Sequence, residues 1–225
     1  MPQPKFQFLL CLLMYTLVIR LLPYVLMNCD IKTDPSVLYY PWNFSPLTAV
    51  CLFGGAFLAD RRTAFLLPLA TLFLSDLGIA LVSGRMEWGF PVNADGVFTL
   101  IGLGRWAFTY VSFAVAVVLG SLLRNSKFSR FPAPALALGL TFETVFFIVS
   151  NFLVWTGNTT GETPLYPATA AGLGQCYLIG LPFFGKSLLG TAAFTMLLFS
   201  PLGVRAATES DGEMTGRKLV PVRVK

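Results

Sequence analysis

The sequence contains no histidine and few charged residues, and each of these shortages excludes some classes of protein function. Without histidine, the chain lacks the base of Ser-His and Cys-His catalysis and the side chain that titrates near neutral pH. Charged residues make up 12% of the chain, whereas apolar residues make up 55% and the mean hydropathy is +0.70. This composition is typical of an integral membrane protein, and we expect neither an enzyme nor a cofactor.

Metal and nucleotide motifs are also missing. The four cysteines have no C-x-x-C spacing, so they indicate neither a metal cluster nor a disulfide framework and are best explained as small apolar packing residues. The fragment Gly102–Arg105 has the sequence Gly-Leu-Gly-Arg, but no strand precedes it and it lies inside an apolar run. It is therefore not a nucleotide-binding loop, and the chain has no phosphate-binding loop elsewhere.

Residues 43–76 consist of two apolar runs that flank a tight charged turn, Asp60–Arg62. Ser45 followed by Pro46 predicts a helix start, because a serine hydroxyl caps a helix and proline suits its first position. Asp76 lies about 21 Å of helix beyond the turn, well past the middle of a hydrocarbon core about 30 Å thick. The stretch therefore predicts a membrane hairpin that presents polar groups near its far end.

Six apolar runs predict six transmembrane helices. The predicted spans are about 6–28, 46–59, 63–83, 97–123, 133–155 and 184–200, with a short helix at about 168–180. The last apolar region is divided near Leu181-Pro182, because proline removes a backbone hydrogen bond. We expect an all-α fold in which residues 1–204 form one compact six-helix transmembrane domain. Residues 205–225 are polar and predict a disordered cytoplasmic tail.

The second predicted span is short. It either tilts little and begins below the membrane surface at Asn43–Ser45, or it is buried among neighbouring helices. Its Gly54-Gly55-Ala56 sequence permits close approach of another helix. We interpret these small residues as internal packing positions.

Basic residues predict the orientation. With both termini in the cytoplasm, eleven lysines and arginines lie inside, two lie outside and three lie within spans. The inner set is Lys5, Arg61, Arg62, Arg124, Lys127, Arg130, Arg205, Arg217, Lys218, Arg223 and Lys225, and the outer set is Lys32 and Arg85. This bias explains the net charge of +5 without nucleic-acid binding. It predicts a multi-pass protein of the cell (inner) membrane with both termini cytoplasmic.

Five ionisable side chains fall inside the predicted spans, where a charge near the bilayer centre costs about 2.5–3.5 kcal/mol. They and several polar residues map to the outer half of the bundle, so we expect an outward-opening pocket. The candidate substrate-binding residues are Arg20, Asn43, Ser45, Thr48, Asp76, Arg105, Trp106, Glu143, Asn151, Trp155 and Lys186. The embedded charges comprise three cations and two anions, which favours a small-molecule substrate with an anionic group.

A structural interpretation competes with this pocket. Arg20 or Arg105 would then pair with Asp76 or Glu143 to lock the bundle, and Lys186 would extend to the membrane surface. In that case the two tryptophans among the candidates, at positions 106 and 155, would be interface or packing residues.

Several sequence signatures resemble an uncharacterised family of bacterial membrane proteins assigned to transport. They are Arg20–Pro23, Asn43–Val50, Phe53–Phe57, Asp60–Arg62, Leu74–Asp76, Ser150–Trp155 and Leu181–Gly190. The resemblance covers about residues 15–200. More distantly, the chain is similar to the substrate-binding S components of energy-coupling factor (ECF) transporters. That similarity implies six helices, an outward pocket, a coupling membrane subunit and ABC-type ATPases as partners.

Three functions remain open from the sequence. The first is a substrate-capture subunit that binds a small solute from outside and is driven by partner ATPases. The second is a solitary proton-coupled carrier in which Asp76 or Glu143 titrates. The third is a structural or assembly subunit of a membrane complex, with the embedded charges as internal ion pairs.

Overall fold

The computed structural model describes residues 6–31, 43–58, 60–124, 132–158 and 164–208, and this part of the chain is helical apart from its connections. The helices are α1 Phe6–Asn28, α2 Leu47–Phe57, α3 Arg61–Ser83, α4 Met86–Gly89, α5 Leu100–Leu122, α6 Pro132–Gly157, α7 Ala170–Leu198 and α8 Pro201–Thr208. One isolated bridge between Val92 and Phe98 is the strand-like pairing within these ranges. The predicted all-α class is confirmed for the described residues.

Five helices, α1, α3, α5, α6 and α7, are long enough and apolar enough to cross a membrane. Helix α2 has 11 residues and is about 16 Å long, roughly half the thickness of a hydrocarbon core. The structure therefore indicates a multi-pass membrane protein with five full-length candidate spans among the described residues, where the sequence predicted six.

Helices α1 and α3 run parallel. The Arg20 guanidinium contacts Asp76, and one and a half to two turns further along both helices the Asn28 side-chain amide donates to the Val82 carbonyl. We call the end of the bundle where these two helices end the Asn28 end, and the opposite end, where α2 meets α3, the Asp60 end. Because two consecutive long helices point the same way, the chain must return between them, and α2 forms part of that return.

The later helices alternate in direction. Arg124, directly after α5, donates to the carbonyl oxygens of Gly55, at 3.0 Å, and Leu58, so α5 ends at the Asp60 end. Helix α7 runs antiparallel to α6, because the Tyr177 hydroxyl donates to the Ile148 carbonyl near the Asn28 end of this pair. Among the described residues, the five long helices and the short α2 thus alternate in direction, and α1 begins where α7 ends.

Helix α2 is the centre of the bundle. Its residues from Leu47 to Ala56 are all buried. A side-chain carbon added at Gly55 would overlap the backbone of α5 at Val117, and one added at Gly120 would overlap the Leu52 carbonyl. Only glycine permits this backbone-to-backbone approach. The interpretation of Gly55 as an internal packing residue is confirmed, and α2 is buried among its neighbours.

The predicted break at Leu181-Pro182 is wrong, because α7 is one helix from Ala170 to Leu198 with Pro182 inside it. Proline costs this helix a backbone hydrogen bond, but contacts with α6 hold both sides of it. Tyr177 bonds the α6 backbone before the proline, and Ser187 bonds Glu143 after it. Prolines are tolerated in membrane helices when neighbouring helices compensate in this way.

Two predicted irregular segments contain short helices. The predicted loop at 84–96 includes α4, and the first four residues of the predicted disordered tail, 205–208, belong to α8. The start of α8 has the expected local signals, since Pro201 occupies its first position and the Ser200 hydroxyl accepts from the Gly203 amide at 2.9 Å. The rest of the predicted tail, 209–225, lies outside the described residues.

Candidate functional site

A cavity of about 610 Å³ lies in the half of the bundle nearer the Asn28 end. It is lined by α1, α3, α5 and α6, and α4 and the segment that follows it form a further wall. Its lining includes Arg20, Asp76, Glu87, Arg105, Trp106 and Ser150. This volume falls in the range of small-molecule binding sites.

One wall of this cavity carries an ion pair. Arg20 on α1 donates through Nη2 to Asp76 Oδ1 on α3 at 2.7 Å and through Nε to Ser75 Oγ at 2.7 Å. Tyr110 on α5 donates its hydroxyl to Asp76 Oδ2 at 2.8 Å. Both carboxylate oxygens therefore have donors, and three helices are joined at one point. The structural interpretation is confirmed for this pair, although both members also line the cavity.

Arg105 and Trp106 differ from that pair because their side-chain donors have no acceptor among the described residues. Within the described ranges, the Arg105 guanidinium makes no hydrogen bond and no ion pair. The indole Nε1 of Trp106 is buried beside Asp76 and has no hydrogen-bond partner of acceptable geometry among the described residues. The unpaired guanidinium on the cavity wall could donate hydrogen bonds to the oxygens of a ligand.

Local backbone geometry places α4 over the cavity. Helix α3 ends at Gly84, whose φ of 67° is the left-handed conformation common after helix C-termini. The chain then folds back so closely that a side-chain carbon at Gly89 would overlap the Asp76 carbonyl. The Arg85 guanidinium lies 4.8 Å from the centre of the Trp88 ring. This arrangement brings Glu87, which the sequence assigned to a loop, to the wall of the cavity.

The second embedded carboxylate, Glu143 on α6, is bound by hydroxyl groups. Thr48 on α2 and Thr191 on α7 donate to Oε1 at 2.6 and 2.8 Å, and Ser187 on α7 donates to Oε2 at 2.6 Å. Glu143 is buried, as are both threonines. These bonds connect α2 near its first turn to α6 and α7, so the carboxylate joins the short central helix to two long ones.

Glu143 also lines a smaller cavity of about 230 Å³ between α6 and α7. Asn43, Phe146 and Ser150 line both cavities, so the two spaces adjoin. Asn43 has a φ of 56°, a left-handed conformation that asparagine tolerates better than most residues, and it turns the chain toward α2.

The structure places most of the predicted site residues on the walls of the two cavities and places the others outside them. Arg20, Asn43, Asp76, Arg105 and Trp106 line the larger cavity, and Asn43, Glu143 and Asn151 line the smaller one, with Thr48 hydrogen-bonded to Glu143.

Four of the predicted residues line neither cavity: Thr48, which bonds Glu143, and Ser45, Trp155 and Lys186. The Ser45 hydroxyl accepts from the Leu47 amide at 3.2 Å at the start of α2, and the Trp155 indole donates to the Pro167 carbonyl at 3.0 Å. Lys186 is buried on α7, one position before a residue that binds Glu143.

Sequence reasoning missed five residues that complete these sites. They are Ser75, Glu87, Tyr110, Ser187 and Thr191. A signal existed for two of them, because Ser187 and Thr191 are four apart and so share a helix face. Serine and threonine are common in apolar helices, where their hydroxyls bond their own backbone, so neither residue stood out.

Comparison with known proteins identifies a family. No curated protein matches the chain, and no solved structure matches it. No group of three or more cysteines and carboxylates in the described ranges could hold a metal ion. Residues 2–210, nearly the whole chain, match a family of unknown function, and the chain therefore belongs to that family, DUF6580.

Proposed function

We propose that the chain is a membrane transport protein that captures a small solute in the larger cavity. The Arg105 guanidinium is the observation that carries this proposal. It lines the 610 Å³ cavity and belongs to α5, which is long enough and apolar enough to span a membrane. It has no partner among the described residues. An arginine at such a position is costly unless it faces water or a partner. A bound solute with an acceptor group would supply that partner.

The solute carries an anionic group. A guanidinium binds a carboxylate or phosphate through two parallel N–H bonds. Arg20 contributes less, because its charge is already paired with Asp76.

The proposed pocket opens outward. Among the described charged residues at the helix ends, Asp60, Arg61, Arg62, Arg124 and Arg205 lie at the Asp60 end, whereas Asp30, Arg85, Glu87 and Asp95 lie at the Asn28 end. Cytoplasmic connections of membrane proteins carry the excess of arginine and lysine. This asymmetry supports a cytoplasmic Asp60 end, with the start of α1 and the end of α7 on the cytoplasmic side of the cell membrane.

A structural or assembly subunit is the second candidate function. The Arg20–Asp76 pair and the Glu143 hydroxyl bonds join helices, as that function requires. Arg105 distinguishes the two functions, because an unpaired guanidinium stabilises no helix contact. Loss of Arg105 would leave a structural subunit intact and would impair a solute-binding protein.

Ligand binding to the purified protein tests the proposal. Wild-type protein in lipid nanodiscs is screened for thermal stabilisation by small carboxylates, small phosphate esters and neutral sugars. We expect stabilisation by anionic solutes and an affinity at least about tenfold lower for Arg105→Gln, since hydrogen bonds to charged groups contribute about 1.5–3 kcal/mol. Arg61→Gln, which removes an exposed guanidinium at the opposite end, is the matched control. Equal affinities of wild type and Arg105→Gln for every solute would contradict solute capture.

Affinity purification tests the partners. An S-component-like protein requires a coupling membrane subunit and ABC-type ATPases, and these should co-purify with a tagged chain after mild extraction. Recovery of a folded, solute-binding protein alone would favour a solitary carrier. Recovery within a complex that has no ATPase would favour the assembly subunit.

A further inference from the structure

The larger cavity has a second unpaired charge, Glu87 on α4. Its carboxylate makes no hydrogen bond and no ion pair with any described residue, which includes the Arg105 guanidinium on the same lining. The other two charged residues of the lining, Arg20 and Asp76, are bonded to each other. The cavity therefore presents one free cation and one free anion from the described part of the chain.

Packing holds these two charges on separate elements. Helix α4 is fixed where Gly89 meets the backbone of Asp76, and a side-chain carbon at Gly102, near the start of α5, would crowd Pro91 and Thr99. Each contact is between backbones or short side chains, so neither element can move closer to its neighbour. Opposite charges that share a cavity without meeting leave space for a ligand that bridges them.

The total charge of the lining points to the same ligand. Arg20 and Arg105 contribute two positive charges, and Asp76 and Glu87 contribute two negative charges, so the lining formed by the described residues has no net charge. A simple anion would leave Glu87 facing it unpaired, and a simple cation would leave Arg105 unpaired. A solute with both charges and no net charge satisfies both groups, because each unpaired charge on the cavity wall then has a partner.

Aromatic side chains complete the cavity. Trp88 lies directly after Glu87 in α4, and Phe90, Trp106, Phe108 and Phe146 also contribute to the walls. An ammonium group is attracted to the face of a tryptophan ring as well as to a carboxylate. The space between the two charges is thus suited to a short apolar body.

We propose that the captured solute is zwitterionic, with its anionic group at Arg105 and its cationic group at Glu87. This inference rests on the proposed function, since it assigns the substrate class of the same cavity. The solute resembles an amino acid in carrying a carboxylate or similar anion and an ammonium group on one small body. Arg105 recognises the class of small acids, and Glu87 selects those acids that also carry a positive charge.

A matched series of probes tests the charge requirement. Wild-type protein in nanodiscs is titrated with ω-amino acids from glycine to 6-aminohexanoate, with alkanoates of the same lengths and with alkylamines of the same lengths. We expect one or two ω-amino acids to bind at least about tenfold more tightly than the alkanoate and the alkylamine of equal length. The preferred length would report the distance between the two charged groups.

Two substitutions assign the charges. Glu87→Gln should remove the preference for the ω-amino acid over the alkanoate while alkanoate binding is kept, and Arg105→Gln should weaken binding of both. Asp95→Asn removes a carboxylate from the same connection, does not line the cavity and should behave as wild type. The ligand-free melting temperature of each variant identifies any loss of folding.

The outcomes separate this inference from the proposed function. Alkanoates that bind as well as ω-amino acids of every length, with no effect of Glu87→Gln, would overturn the zwitterion while anion capture stands. A melting temperature that no member of the series changes would overturn both.

Discussion

The two ends of the bundle are built differently. At the Asp60 end, helix backbones touch through glycines, with Gly55 and Gly120 joining α2 to α5 and Gly139 lying against Thr191. Toward the Asn28 end, the helices separate around the larger cavity, and a short helix packs over it. A closely packed end resists rearrangement, whereas an end with a polar cavity can accept a solute. Stability and binding are thus expected to depend on different ends.

The two embedded carboxylates lie where these ends meet, and they are satisfied by different means. Asp76 has a cation and a phenol as donors, and both it and Arg20 line the larger cavity. Glu143 has three hydroxyls and lines the smaller cavity. Hydroxyls hold a carboxylate in place without adding charge, while an arginine neutralises it. Substitutions at these two positions should therefore have different costs.

The largest expected effect is at the closely packed end. Gly120→Val forces the backbones of α2 and α5 apart, and we expect a loss of about 3 kcal/mol or more in the free energy of unfolding. Reversible denaturation in mixed micelles measures this loss. Gly104→Val on the same helix is the control, because a side chain there meets nothing within 4 Å. Equal stabilities of the two variants would show that the α2–α5 approach is not tight.

The ion pair gives the next effect. Arg20→Met leaves Asp76 buried without its cation, and we expect a loss of about 2–3 kcal/mol, reduced from the fully buried case because the Arg20 side chain is 29% exposed. Adding Asp76→Asn removes the unpaired charge and should restore at least half of the loss. The same denaturation measures both variants, and a double variant less stable than Arg20→Met would contradict a direct pair.

Glu143→Leu should cost less. Three hydroxyls lose their acceptor, but each can turn to a carbonyl of its own helix, as Thr144 does with Leu140 at 2.8 Å. We expect a loss of about 1–2 kcal/mol and a solute affinity within about twofold of wild type. Thr144→Val is the control for hydroxyl loss on the same helix. A large fall in affinity with unchanged stability would instead assign Glu143 to the solute.

The smallest effect is on pH dependence at the Asp60 turn. The Thr63 side chain and the backbone amides of Thr63 and Arg62 donate to Asp60 at the start of α3, and these bonds lower the pKa of its carboxyl. A depressed pKa adds stability above the carboxyl's unfolded pKa near 4, and that contribution is lost as pH falls through the folded value. The stability difference between wild type and Asp60→Asn should therefore be present at pH 6 and become smaller as the pH falls to 3. Urea unfolding at the two pH values measures it, and a difference that grows toward pH 3 would contradict the sign.

The apolar runs predicted most of the fold. They located α1, α3, α5 and α6 within a few residues, and alternation of direction followed from the basic turns. The break at Pro182 was predicted wrongly because a local rule was applied without the neighbouring helix, whose contacts keep α7 continuous. The length of α2 could be read from the sequence, but its complete burial depends on which helices surround it.

The sequence predicted a group of site residues but did not predict which of them pair with one another. Counting residues from the basic turns gives the depth of Arg20, Asp76 and Arg105 in the membrane, but it does not give their direction around each helix. Which arginine pairs with Asp76 is therefore decided by the packing of α1 against α3 and α5, where the Arg20 guanidinium and the Tyr110 hydroxyl both bond Asp76. Glu87 was overlooked because it precedes α5 in a connection that folds back over the bundle.

The burial of α2 has a consequence for biogenesis. An 11-residue helix gains too little from lipid to remain in the membrane alone, and its glycine surface matches a helix that begins at Leu100, more than 40 residues after α2 ends. During synthesis, the glycine surface of α2 must therefore remain uncovered beside α1 and α3 until α5 emerges from the ribosome and packs against it. The step that commits the nascent chain to its final form is the arrival of α5, and a chain that stops before residue 100 should be degraded as an orphan.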